Sequence, residues 1–265
     1  MAALSVSAQH PLLNRTMSYM KPINDSLYAQ AFEVSNRDYH LFLEALLQEG
    51  DRATWNACVP DTQQWFYIGS NFLINLYHRD ERYADYPVVN ISQKAARHYC
   101  RWLTRTYMVW DKRPYKRVEF RLPANDTEWS AAARGTLLPT ARYPWGRDAL
   151  QDPRGAYYCN FNRLIQQPPD TNRLSLNNGI NEVVGRISRG SFLLCPVNAF
   201  APNSIGLYNI CGNVAEMLDL NNRTKGGSWD SDGKFMPINA LDEYNGKPTP
   251  NPFTGFRVFM YVWEK

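Results

Sequence analysis

The run Pro202-Asn203-Ser204-Ile205-Gly206-Leu207-Tyr208-Asn209-Ile210-Cys211-Gly212-Asn213-Val214-Ala215-Glu216 decides how this chain folds. Its Gly206-Leu207-Tyr208 and Gly212-Asn213 steps suit tight turns, because glycine tolerates positive φ and the Asn amide can bond the neighbouring backbone. Downstream, Lys225-Gly226-Gly227-Ser228-Trp229 has a glycine pair that lets another backbone come close. Arg257, between Phe256 and Val258, is expected to bury its stem and aim its fork at carboxylates or carbonyls, a structural role. From Gly135 to the C-terminus there is no long periodic segment, only short runs broken by Pro, Gly and Asn. Such a half must hold its backbone by turns, side-chain bonds or ions.

Upstream the pattern changes. Ser35 is an N-cap for a helix over Asn36 to Gln48, with Tyr39, Phe42, Leu43, Leu46 and Leu47 on one face and Gly50 past the end. A second helix follows Ser92, its stripe being Ala95, Ala96, Tyr99, Cys100, Leu103 and Tyr107. A third opens on the capping box Asn125-Asp126-Thr127-Glu128 and stops at Gly135. The alternation in Val118 to Leu122 predicts a short strand ahead of it. No repeat or linker divides the chain, so the reading is one α+β domain, rich in loops, over residues 21–265. Residues 1–20 are then a signal-peptide remnant or an N-terminal extension.

Composition narrows the function. The chain has 265 residues and a net charge of +4, and its densest basic stretch, Lys112 to Arg121, is interrupted by Pro114, Tyr115, Val118 and Glu119, which argues against a nucleic-acid footprint. No run reaches the about 18 apolar residues of a membrane span. The first nine residues read either as the end of an export signal or as a frayed terminus. Five widely spaced cysteines and the scattered His10, His40, His78 and His98 give no zinc pattern; on export one or two disulfides are possible with at least one thiol left over, and the spacing does not pair them. Ser231, between Asp230 and Asp232, is not on a nucleophile elbow, and no phosphate-binding or dinucleotide fingerprint is present.

Taken in order, Glu33-Val34-Ser35-Asn36, Tyr86-Pro87-Val88-Val89-Asn90, Arg121-Leu122-Pro123, Ala132-Ala133-Arg134-Gly135, Tyr143-Pro144-Trp145-Gly146, the 202–216 run, Gly226-Gly227-Ser228-Trp229 and Thr254-Gly255-Phe256-Arg257-Val258 resemble the formylglycine-generating-enzyme (sulfatase-modifying-factor) family. The resemblance implies that family's fold, related to C-type lectins. It also implies a reactive cysteine shortly after the Gly-Gly-Ser-aromatic segment and a second one five residues on, a pair that binds copper. Here the matching residues are Ser231 and Met236, and no cysteine lies beyond Cys211. A hydroxyl and a thioether cannot form a paired thiolate site, so no copper and no formylglycine-generating oxidase activity are expected, and the chain is read as a non-enzyme. The resemblance further implies structural calcium near Asn160, Asn213 and Glu216, although Glu216 reads equally as a partner for an Arg. The 162–190 stretch follows no recognisable part of the family pattern.

A second resemblance, over Val59-Pro60-Asp61-Thr62-Gln63-Gln64-Trp65 to Tyr77-His78-Arg79 and Tyr83 to Val89, is to GldK- and GldJ-type gliding-motility lipoproteins of type IX secretion. It implies an exported, periplasmic or outer-membrane-associated subunit that binds other envelope proteins, such as a ring or translocon complex, without catalysis. The alternative is an enzyme or small-ligand binder that reuses the family cleft with new polar groups around Trp229, Asp230, Ser231, Asn239 and Arg257.

Overall fold

The computed structural model describes residues 11–162, 193–247 and 249–265. His10 and most of the 162–190 stretch therefore lie outside the described residues. The helices are α1 (Pro11–Ser18), α2 (Asn36–Gln48), α3 (Arg52–Cys58), α4 (Leu73–Leu76), α5 (Gln93–Met108) and α6 (Asp126–Arg134). The strands are β1 (Met20–Pro22), β2 (Leu27–Gln30), β3 (Arg117–Arg121), β4 (Ala215–Met217), β5 (Thr224–Lys225), β6 (Thr254–Gly255) and β7 (Phe259–Glu264).

The caps read from sequence are in place. Ser35 accepts from the Asp38 N–H, Ser92 from Ala95 and Asn125 from Glu128. The Glu128 carboxylate accepts instead from the Ala124 N–H at 2.7 Å and from Arg121, one residue short of the usual capping-box partner. The expected α5 stripe is buried throughout, together with Trp102. It packs with Phe42 of α2 and Phe120 of β3 in the main core.

Strand β7 runs at the centre of an antiparallel sheet ordered β1-β2-β7-β3, so the C-terminus is paired with both the N-terminal hairpin and the middle of the chain. Leu12 and Leu13 of α1 sit in the same core, so residues 11–18, ahead of the boundary read at residue 21, are packed with the domain. A second small sheet, β5-β4-β6, lies in the loop-rich half: β4 is antiparallel to β5 and parallel to β6. Its strands are three residues or fewer, as the punctuated second half predicts.

Candidate functional site

The glycine-rich turn after β5 builds the site. Gly226 has φ +94, and a Cβ there would stand 2.9 Å from the Ile210 carbonyl and 3.0 Å from the Trp129 ring. Gly227, at φ +69, would drive a Cβ into Met236 Cε and to 3.4 Å from Ser231 Cβ. The close approach read from the glycine pair is therefore real, and it brings Ser231 and Met236 against Gly227 where a Cβ would stand.

Both residues are fully buried. The Ser231 hydroxyl accepts from the Ser228 N–H at 2.8 Å and lies 3.3 Å from Ser228 Oγ and 3.5 Å from Tyr244 Oη. Ser228 Oγ and Tyr244 Oη share a 2.6 Å bond. Beside them, burial raises the Glu243 carboxyl; the Ser231 hydroxyl and Lys247 oppose that rise, and Asp230 adds to it. Glu243 is half-buried, and its Oε2 is enclosed with no hydrogen-bond partner. A carboxyl held toward its neutral form beside hydroxyls can pass a proton to or from a bound group. Neither Glu243 nor Tyr244 was singled out from sequence. The segment that bears them, Asp242-Glu243-Tyr244-Asn245-Gly246, has no motif.

The expected ligand-cleft residues divide. Asp230 is at the rim, with its Oδ1 3.4 Å from Asn162 Nδ2. Trp229 is buried, donates Nε1 to the Pro252 carbonyl at 3.0 Å and packs on Phe253, so it walls the site instead of lining an open groove. Asn239 is exposed and bonds Arg134, outside the cluster. Arg257 is also elsewhere: it is fully buried and has the structural role read for it. Its Nε and Nη2 hold Glu216 Oε1 at 2.8 and 2.7 Å, and its other donors reach the carbonyls of Gln30, Ala31 and Tyr208.

That pairing decides between the two readings of Glu216. One carboxylate oxygen faces Arg257 and the other accepts from Trp129 Nε1 at 2.8 Å, so Glu216 is an ion-pair partner and leaves the proposed calcium set. Asn160 and Asn213 do meet, at 3.3 Å. The carboxylate beside them is Glu33, which accepts from Asn213 at 3.1 and 3.0 Å and from Asn209 at 3.1 Å. Burial raises Glu33 to about 8, with Arg257 opposing and Glu216 adding to the rise: one guanidinium cannot neutralise two carboxylates. The amides of Asn160 and Asn213 also face the carbonyls of Leu193 and Cys195, and Asn209 Oδ1 is buried without a partner. With Glu33 in place of Glu216, this donor set suits a hard cation in kind.

Copper is a different case. A hydroxyl and a thioether at 231 and 236 do not fit a thiolate pair. Burial pushes the thiols of Cys58, Cys100 and Cys211 up, Cys58 to about 11, which keeps them from acting as thiolates.

Comparison with known proteins gives the context of this site. The chain is 30% identical over 205 residues to the formylglycine-generating enzyme of Thermomonospora curvata, a match over 70% of this chain and 56% of that protein. It is 27% identical over 252 residues to the formylglycine-generating enzyme of Bos taurus, covering 86% and 54%. It is 34% identical over 133 residues to the Bos taurus protein named inactive C-alpha-formylglycine-generating enzyme 2, covering 50% and 32%. The chain thus spans about half the length of the curated relatives it matches. Among solved structures, CarF superposes with TM-score 0.51 at 16% identity, covering 92% of this chain and 93% of that one. PvdO from Pseudomonas aeruginosa gives 0.52 at 15%, covering 89% and 80%. At that identity the likeness concerns the fold alone. The expectation of a non-enzyme is corrected here, because relatives matched over most of the chain carry enzyme names. With the sulfatase-modifying factor enzyme 1-like domain matching residues 20–262, the chain belongs to that family.

Proposed function

We propose that this chain is an enzyme, or a binder of a small ligand, that reuses its family's cleft with hydroxyl and carboxyl groups in place of thiols. The observation that carries the reading is Glu243: its carboxyl is raised by burial, has one enclosed orphan oxygen, and adjoins Ser231 and Tyr244, which share hydrogen bonds with each other and with Ser228. In this reading Glu243 moves the proton and Tyr244 and Ser228 orient it. Asp230 at the rim meets the ligand. A ligand bearing a hydroxyl or amine would satisfy the orphan oxygen. The experiment is a thermal-shift screen of small amines, polyols and thiols against the wild type and Glu243→Gln. Compounds that stabilise the first and lose about tenfold in affinity for the second support the reading, that being about the size of one hydrogen bond.

A second reading, docking on an envelope assembly, is favoured by one observation and is compatible with catalysis. The segment that resembles gliding-motility proteins exposes Phe66 at 59%, Tyr67 at 75% and Phe72 at 44%, large apolar surface of the kind partners cover. Structural calcium at Glu33, Asn160 and Asn213 would hold the loops behind the site. Affinity purification of the tagged chain from the envelope fraction of its host, with and without chelator, tests both. Co-purifying outer-membrane components that are lost from a Phe66→Ser/Tyr67→Ser variant support docking, and recovery of the chain alone rejects it. A chelator-induced fall in melting temperature supports calcium, and an unchanged one rejects it.

A further inference from the structure

One face of α6 lines an open cavity of about 440 Å³ that plays no part in the site above. Thr127, Ser130 and Arg134 project from the helix at i, i+3 and i+7, and the opposite wall is Lys225 of β5 with Asn239. Three cations, Arg134, Arg223 and Lys225, line it against two carboxylates, Asp126 and Asp242. Arg223 takes both carboxylates, at 2.7 and 3.3 Å. Among the described residues that leaves Arg134 and Lys225 with no ion-pair partner.

Lys225 is the unusual member. It is only 7% exposed, yet its ammonium has a single hydrogen bond, to the Ala240 carbonyl at 2.8 Å, and the face of Trp129 at 5.5 Å. An ammonium has three protons to donate, and removing it from water without a counter-charge is unfavourable. Arg134 gives Nη2 to Asn239 Oδ1 at 3.3 Å, while its Nε has no partner. Two under-used cations face one cavity whose wall also offers the hydroxyls of Thr127 and Ser130.

We propose that this cavity binds a small oxyanion, the phosphate or carboxylate group of a ligand, between Lys225 and Arg134, with Ser130 and Thr127 as hydroxyl donors. Charge balance supports the assignment, since the lining is left with one positive charge in excess. Burial lowers the Lys225 pKa, with Asp126 opposing, which is the direction expected of a cation that lacks its counter-ion. The site is independent of the Glu243 reading: it shares no titrating group with it, and either can fail alone.

The test is calorimetric titration of the intact chain with inorganic phosphate and, separately, acetate, at two ionic strengths. Saturable binding of at least one, weakened by salt and reduced about tenfold in Arg134→Gln, is expected from the loss of one charge-assisted contact. The preferred probe identifies the group as phosphate or carboxylate. Arg134 is half-exposed with no ion pair, so its replacement leaves the fold intact, while Lys225→Met is read only if its circular dichroism is native. The exposed Arg147→Gln is the control and is expected to bind as the wild type does. No saturable binding of either anion overturns the proposal, as does binding that Arg134→Gln leaves unchanged.

Discussion

Single residues in this protein are set by enclosure more than by type. His78 is one of four histidines that fall in no pattern in the sequence. In the fold its Nδ1 meets Asn36 Oδ1 at 3.1 Å and its Nε2 is enclosed without a partner. Burial, with Arg79 adding to it, lowers its pKa from 6.5 to about 3. The unfolded chain takes up the proton at 6.5 and the native one only near 3, so the contribution to stability is complete above 6.5 and is lost as the pH falls toward 3. Urea midpoints measured from pH 7 to pH 4 should fall less steeply in His78→Asn than in the wild type. Parallel slopes would show that the imidazole is not buried neutral. Sequence could not locate this group, because its ring is met by Asn36 of α2, a residue distant in sequence that tertiary packing brings to it. Gly227 is the opposite case. Its need for positive φ and for open space is written in the glycine pair itself, and only the identity of the crowding atom, Met236 Cε, had to come from the structure.

Between elements, one buried side chain does much of the joining. Arg257, between β6 and β7, bonds Glu216 of β4 and the carbonyls of Gln30, Ala31 and Tyr208, and Glu216 reaches Trp129 of α6. Removing the guanidinium leaves Glu216 buried without its partner, for which a loss of about 3–5 kcal/mol is expected in Arg257→Met. Chemical denaturation measures it, and Glu216→Gln in the same background should recover part of the loss. A loss below about 1 kcal/mol, typical of a surface pair, would refute the joining role. The elements with local signals were legible: α2, α5 and α6 announce themselves by cap and stripe, and β3 by alternation. Strands β4, β5 and β6 were not, because two or three residues have no period and are fixed by partners distant in sequence, such as Glu216 opposite Lys225 and Gly255. The same limit hid Glu243 and Tyr244, which reach Ser231 from a turn with no motif.

At the scale of the molecule, the central sheet ties both ends of the chain together and leaves the glycine-rich turn, the buried Glu33–Asn213 network and the α6 cavity to the loop-rich half. Family membership follows from segments spread over residues 20–262. The chemistry does not follow from membership; in the function proposed above it rests on Ser231 and on a carboxyl, Glu243, supplied from another segment. The most direct test is the thermal-shift screen carried out side by side on wild type, Glu243→Gln and Ser231→Ala. The account predicts at least one small hydroxyl- or amine-bearing compound that stabilises the wild type and whose affinity drops about tenfold in each variant. A screen without hits, or hits that bind all three chains alike, would contradict it.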